Sequence, residues 1–304
     1  MELRHLRYFL AVAEAGHMTR AAATLGIQQP PLSQQIKALE QSLGVTLLQR
    51  HPKGVALTEA GRQFEAEARR IVDDVAAMQQ RMSRIARGLQ GRLAVAFTSS
   101  AAAHAFTPEA LRACRSRYPG IELQLSEDNA ATITEAIATG RLHCGFLRVP
   151  VARPAGVQLE TLLNEPAVLA LPLDHRLARL RRGKPQPVAL AELEGERMIL
   201  VRRPGAPGLY ANLLALCATR GVQPLIVAEV ERMMTNLNLV AAGVGLSVVP
   251  ASMTGAQPHA IVYCPFERGV TLDAPLTLAW RAADSNGPTA TFVALVREIA
   301  RARR

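Results

Sequence analysis

The sequence predicts a multidomain α/β protein. It divides into a small helical head over residues 1–60, a long connecting helix with a hinge over 61–91, and a two-lobed α/β domain over 92–304. Three observations lead there. Short helical segments before residue 45 stop at Gly16, Gly26 and Gly44. Apolar residues from Phe64 to Leu89 recur every three or four positions, and a βαβαβ pattern beginning near residue 92 returns 103 residues later.

In the head, Leu3, Leu6, Leu10 and Ala13 fall at helical spacing, and Thr19 is suited to cap a second helix from Arg20 to Leu25. A third segment puts Leu32, Ile36, Leu39 and Leu43 on one apolar stripe. Its opposite stripe carries Gln29, Pro30, Ser33, Gln34, Lys37 and Gln41. Amides pair bidentately with adenine edges, hydroxyls read either base type, and a prolyl ring sits against a thymine methyl. Pro30 and Pro31 are tolerated in a first turn, where backbone N–H groups have no helical partner. Two short extended pieces follow, Leu47–Arg50 and Val55–Leu57, joined by His51-Pro52-Lys53-Gly54. They read as a wing whose Arg50 and Lys53 reach phosphates or a minor groove.

The run Arg20-Ala21-Ala22, Leu25-Gly26, Gln29-Pro30, Leu32-Ser33, Gln35-Ile36, Leu39-Glu40, Leu43-Gly44, Leu47, Arg50 and Leu57-Thr58-x-Ala60-Gly61 resembles the winged helix-turn-helix of LysR-type transcriptional regulators. The resemblance implies DNA contacts from Thr19, Gln29, Pro30, Pro31, Ser33, Gln34, Lys37, Arg50 and Lys53. Two positions depart from the family pattern. Gln28 stands where a serine usually caps the recognition helix, and Gln34 where arginine is frequent. The first weakens the cap; the second favours adenine over guanine.

Thr58 is a good N-cap, and neither proline nor glycine interrupts residues 62–87. Phe64, Ala68, Ile71, Val75, Met78, Met82, Ile85 and Leu89 step alternately by four and three, the repeat of a coiled-coil seam. A rod of about 30 residues, near 45 Å, cannot hide that seam against a small head. Pairing of Phe64, Ile71, Val75, Met78, Met82 and Ile85 with a second copy is the economical solution. Gly88 and Gly91 then read as a hinge.

From residue 92, strands Arg92–Phe97, Ile121–Ser126 and Cys144–Leu147 alternate with helices, one of them capped by Thr107-Pro108. Leu111, Cys114, Arg117 and Gly140 map onto Leu214, Cys217, Arg220 and Gly243. The repeat gives two similar lobes, one from 92–162 and 267–304, the other from 163–266, with the first crossover over 148–163. The whole is similar to the periplasmic-binding-protein-like effector domain of LysR-type regulators, in the manner of those controlling aromatic-compound catabolism. Open α/β sheets bind ligands at the carboxyl ends of their strands. The repeat places Thr98, Ser99 and Ser100 opposite Arg202, Arg203, Pro204 and Gly205, a setting suited to an organic anion, aromatic-derived or unsaturated. The resemblance adds Ala130 and Thr235, although related regulators often carry Ser or Thr at the former. Helix capping alone is the competing reading for Ser99 and Ser100, and surface charge for Arg202 and Arg203.

The bulk properties bound the function. The net charge of +10 is spread over the head, connector and C-terminal domain, so it speeds encounter with DNA without locating a surface. GxSxG, HExxH and GxxxxGK[ST] are absent, Gly243-Val244-Gly245-Leu246 does not complete GxGxxG, and Asp174-His175 lacks a neighbouring nucleophile. Catalysis, a cofactor, a metal and a membrane span are therefore not expected. Promoter DNA, a small-molecule effector and a second copy are expected partners, as a dimer or dimer of dimers, with RNA polymerase a further candidate that the resemblance suggests. A cytoplasmic location fits the lack of a leader-like N-terminus. Cys114, Cys144, Cys217 and Cys264 form no CxxC pair and read as buried thiols, though a thiol-based redox regulator would share this fold.

Overall fold

A computed structural model of the chain describes residues 1–52, 54–148, 154–201 and 208–303. The chain divides into two units, Met1–Arg84 and Ile85–Arg304.

In the first unit, helices α1 (Leu3–Ala15), α2 (Met18–Leu25) and α3 (Gln29–Leu43) precede an antiparallel pair, β1 (Leu48–His51) and β2 (Gly54–Leu57). Phe9, Val12, Ala21, Leu32, Ile36, Leu39 and Leu47 form one core. The buried face of α1 is Leu6, Phe9 and Val12. That face lies one position off the stripe expected from Leu6, Leu10 and Ala13, because the larger Phe9 takes the central place. Leu43, at the helix end, is exposed rather than buried. The cap of α2 also differs. His17, not Thr19, is the N-cap, and its Nδ1 accepts the Thr19 N–H at 3.2 Å. The cap of α3 is bare, since Gln28 makes no side-chain capping bond.

Helix α4 (Glu59–Ala86) begins with the Thr58 hydroxyl accepting the Gly61 N–H at 2.9 Å. A Cβ on Gly61 would lie 2.1 Å from the Leu47 carbonyl oxygen, so only glycine lets the helix approach the first strand this closely. Phe64, expected at the seam, stacks edge-on against Phe9 with ring centroids 5.0 Å apart, and Ala68 is fully buried. The first turns of α4 therefore belong to the head core. Further along, Ile71, Met78, Met82 and Ile85 are exposed, Met78 by 47% and Met82 by 54%, and Val75 is half-buried.

The second unit contains two lobes. Lobe I holds β3 (Gly91–Phe97), α5 (Ser99–Ala102), α6 (Phe106–Arg117), β4 (Ile121–Glu127), α7 (Ala130–Ala138), β5 (Cys144–Arg148) and β6 (Val157–Leu163). The chain then enters lobe II through β7 (Ala167–Pro172), a hairpin β8 (Leu180–Arg181) and β9 (Lys184–Pro185), β10 (Arg197–Val201), α8 (Leu209–Thr219), β11 (Leu225–Val230), α9 (Met233–Ala241), β12 (Ser247–Pro250) and β13 (Ile261–Cys264). It returns to lobe I with β14 (Leu276–Arg281) and α10 (Gly287–Ala302). The segment 148–163, expected as a bare crossover, contains the edge strand β6; the crossover itself is the short link from Leu163 to Ala167.

The lobe I sheet runs β4-β3-β5-β14-β6. In lobe II, β11-β10 and β12-β7-β13 are joined by a parallel bridge between Met198 and Leu246, giving the order β11-β10-β12-β7-β13. Each lobe thus repeats the same order, with its last two strands antiparallel to their neighbours. Apolar clusters lie on both faces of each sheet, which is why β3, β5, β7 and β12 read as unbroken apolar runs instead of alternating ones. Gly88 packs against the start of α10. The Thr291 hydroxyl donates to its carbonyl at 3.0 Å, and a Cβ there would meet the Gly287 oxygen at 2.4 Å.

Candidate nucleic-acid interface and ligand cleft

On α3 the side chains of Pro30, Pro31, Gln34 and Lys37 are exposed, while Gln29 and Ser33 are half-buried. The Arg50 guanidinium, on β1, donates to the Ser33 hydroxyl at 2.6 Å and so ties the wing strand to the polar face of the helix. Glu40, at the far end of α3, accepts the backbone N–H groups of Leu47 and Leu48 at 2.8 and 3.0 Å. Those two bonds fix the angle between helix and wing. Thr19 is exposed in the first turn of α2, and Lys53 lies outside the described residues. One face, rich in amides and hydroxyls with basic residues at its margin, results. Such a face suits a groove edge better than a small ligand.

The ligand cleft is assembled from strand ends. Thr98 caps α5, its hydroxyl accepting the Ala101 N–H at 3.4 Å, whereas Ser99 does something else. The Ser99 hydroxyl accepts the N–H of Met233, the first residue of α9 in the other lobe, at 3.4 Å. Arg232, the N-cap of α9, makes no side-chain capping bond, so Ser99 caps that helix from across the cleft. Thr235 lies exposed in the same first turn. Ala130 opens α7, where the neighbouring Asn129 caps its own helix through Thr132 N–H at 3.0 Å. Arg202, Arg203, Pro204 and Gly205 lie outside the described residues. Thr107, expected to cap α6, is buried inside it and donates to the Ala101 carbonyl at 2.7 Å.

Sequence reading missed Arg148. It stands at the carboxyl end of β5, and its side chain is only 10% exposed. It pairs with Glu165 at 2.5 Å, donates to the carbonyls of Ala274 and Ser100 at 2.6 and 3.2 Å, and to the Ser252 hydroxyl at 3.2 Å. Glu165 in turn accepts the Ser252 N–H and hydroxyl at 2.6 and 2.9 Å. One ion pair therefore joins lobe I, the crossover and lobe II. Burial lowers the Arg148 pKa, with Glu165 opposing, and the guanidinium stays charged. Its Nε finds no hydrogen-bond partner among the described residues. His104 nearby is held below the usual imidazole range, first by burial and then by the Arg148 and Arg303 charges against that of Glu165. It is neutral at physiological pH. The only signal for Arg148 was a basic residue ending an apolar strand.

All four cysteines are free and buried. Burial pushes the Cys114 thiol up to about 11 and raises those of Cys144, Cys217 and Cys264. A reactive cysteine needs the opposite, an accessible thiolate, so the thiol-switch reading gains no support here. His175, without a nucleophile in sequence, is hydrogen-bonded to Glu196 at 3.0 Å, and Glu196 is ion-paired with Arg176.

A groove-reading head and a separate two-lobed ligand domain in one chain define a ligand-responsive DNA-binding regulator. Comparison with known families agrees: residues 3–62 match the bacterial regulatory helix-turn-helix protein, lysR family, and residues 86–301 match the LysR substrate binding domain. The chain belongs to the LysR family of transcription regulators. It is 41% identical over 268 residues to the uncharacterized HTH-type transcriptional regulator YnfL of Escherichia coli K12, covering 87% of each chain. To the HTH-type transcriptional regulator BudR of Raoultella terrigena it is 37% identical, over 92% of this chain and 95% of that one. The crystal structure of full-length CbnR complexed with its target DNA is similar throughout, with a TM-score of 0.80, 31% identity, and 99% and 100% of the two chains covered.

Proposed function

We propose that α3 reads bases through Ser33 and Gln34, with Gln29, Pro30 and Pro31 against the groove edge and Thr19, Lys37, Arg50 and Lys53 on phosphates. The observation supporting this is the exposed polar face of α3 with Arg50 bonded to Ser33. Phosphate contacts would exchange Arg50 away from Ser33 and release the hydroxyl to a base. Ile71, Val75, Met78, Met82 and Ile85 pair with the same residues of a second copy, since the seam they form is uncovered along one chain. Two heads then match a two-fold-symmetric operator. In gel-shift titrations, Gln34→Ala is expected to lose about 1–3 kcal/mol on the cognate duplex and little on a random one. Equal losses on both would overturn the assignment. Met78→Asp, which puts charge into the seam, is expected to halve the sedimenting mass and weaken both duplexes.

The effector is a small organic anion held between the lobes by Ser99, Ser100, Arg148 and the first turn of α9 at Thr235, with Thr98 holding α5 in place. The bond from Met233 N–H to Ser99 carries this reading, because it brings a hydroxyl and an otherwise uncapped helix start to one point. An anion there favours one lobe arrangement, and a differential affinity of about 1–3 kcal/mol suffices to shift DNA binding. The protein acts by binding alone and works in the cytoplasm, where promoter DNA is reached. A thermal-shift screen of small carboxylic acids against their amides tests the site. Acids are expected to stabilise the native chain and to lose that effect in Ser99→Ala. Amides stabilising equally well, with the variant indifferent, would sink it.

A further inference from the structure

A second cavity lies away from the cleft, and we infer that it is a binding site for a small organic cation, an amine with an apolar body. It is a solvent-open groove of about 750 Å³, within the range of small-molecule sites, and shares no lining residue with the Ser99 cleft. Its walls come from three places. Thr161 and Thr277 are on β6 and β14, at the sheet edge farthest from β3 and β4; Asn212, Leu216 and Thr219 are on α8 of lobe II; Asp273 is on the return connection between the lobes.

The lining chemistry selects the ligand. Asp273 is the one ionisable side chain among the described residues of this wall, and no basic residue joins it. Its carboxylate is exposed and has no ion pair or side-chain hydrogen bond among the described residues, although its backbone is fixed by a bridge to Pro166. Threonine hydroxyls and the Asn212 amide oxygen accept hydrogen bonds, as an ammonium group requires of its surroundings. The buried Thr277 hydroxyl has no partner among the described residues, so the wall carries an unmet hydrogen bond. Leu216 and its apolar neighbours cover the body of the molecule. An anion has nothing here to neutralise it, in contrast to the arginine-bearing cleft. Because both lobes and their connection supply walls, occupancy is linked to the inter-lobe angle and reciprocally to whatever occupies the cleft.

Three probes with one ring and three charges test the assignment by calorimetry on the full chain: cyclohexylammonium, cyclohexanol and cyclohexanecarboxylate. Cyclohexylammonium is expected to bind more tightly than cyclohexanol. Its Kd is expected to rise about fivefold in Asp273→Asn, as for loss of a solvent-exposed ion pair. Asp273→Lys, on an exposed position that tolerates the change, is expected to abolish the preference for the amine. Any carboxylate binding at the Ser99 cleft is expected to be unchanged in Asp273→Asn, so a failure there is distinct from a failure here. Equal affinity for the amine and the alcohol, or amine binding indifferent to Asp273→Lys, overturns the proposal.

Discussion

The two lobes of the second unit share one strand order and are held together differently. In lobe I, β3 pairs with β4 in register along its whole length and with β5 over three residues. In lobe II, β10 meets β12 through the single Met198–Leu246 bridge, and its pairing with β11 shifts register between Met198 and Ile199. Lobe I supplies Ser99, Ser100 and the charged Arg148; lobe II supplies the start of α9, which Ser99 meets, and the Ser252 hydroxyl, which Arg148 meets. An internal repeat therefore conserves topology while its two copies diverge in what they present. One copy contributes an arginine and hydroxyls and the other a helix start, an arrangement able to hold a ligand between them.

The largest expected effect comes from cutting the bond between the lobes. Glu165→Ala leaves Arg148 buried without its counter-charge and is expected to cost about 3 kcal/mol, read as a lowered urea midpoint. Arg148→Met with Glu165→Leu removes both charges and is expected to recover most of that loss. If the double variant is as unstable as the single one, the pair is not the joint.

A smaller effect separates the two sheets. Gly245 precedes β12, and a Cβ there would meet the Arg197 carbonyl oxygen at 2.6 Å, backbone against backbone. Gly145, in β5, would place its Cβ 2.5 Å from a methyl of Ile133, which can move. Gly245→Ala is expected to cost about 2–3 kcal/mol and Gly145→Ala about 1 kcal/mol, because a strand carbonyl yields less readily than a side-chain end. Hydrogen exchange in Gly245→Ala should loosen β10 and β12 while leaving β3 and β5 protected. Equal losses from both alanines would mean the single-bridge junction is no weaker than the full ladder.

The smallest effect concerns the thiols, where the lobes are expected to agree. Cys114 and Cys217 occupy equivalent buried helix positions and both are raised by burial. For Cys114 the folded value of about 11 lies above the ordinary 9.0. Its contribution to stability is thus complete below pH 9 and is lost as pH climbs toward about 11, where the unfolded chain ionises first. Denaturation midpoints followed across that window should fall less steeply in Cys114→Ala. At about pH 8 a thiol reagent should leave the native chain unlabelled and modify it only on unfolding, since the thiolate is the reactive form. Rapid labelling of either cysteine in the native state would return the redox reading.

Legibility followed contiguity. The polar face of α3 could be read from one stretch because side chains three and four apart share a helix face whatever the helix packs against. The apolar stripe from Ile71 to Ile85 was legible for the same reason, and the 103-residue repeat gave the equivalence of α6 with α8 and of α7 with α9. Phe64 was misread because periodicity does not say which neighbour covers a position; Phe9 does so here. Residue type alone suggests Thr19 and Thr107 as caps, but His17 accepts the Thr19 N–H, and Thr107 packs inside its helix. Strand β6 was missed because it lies at a sheet edge, where polar Gln158, Glu160 and Thr161 break the apolar run that marked the central strands.

The sequence by itself determined the kinds of element, their order, the polar stripe of α3 and the doubling of the C-terminal domain, all of which follow from spacing along the chain. Only the tertiary structure decided that Ser99 caps a helix 134 residues away. It also decided that Arg148 and Glu165 clasp across the crossover, and that Asp273 faces a cavity shared with α8. Those contacts depend on how strand ends from separate segments converge. Convergence is set by the packing of whole sheets and helices, and no local pattern encodes it.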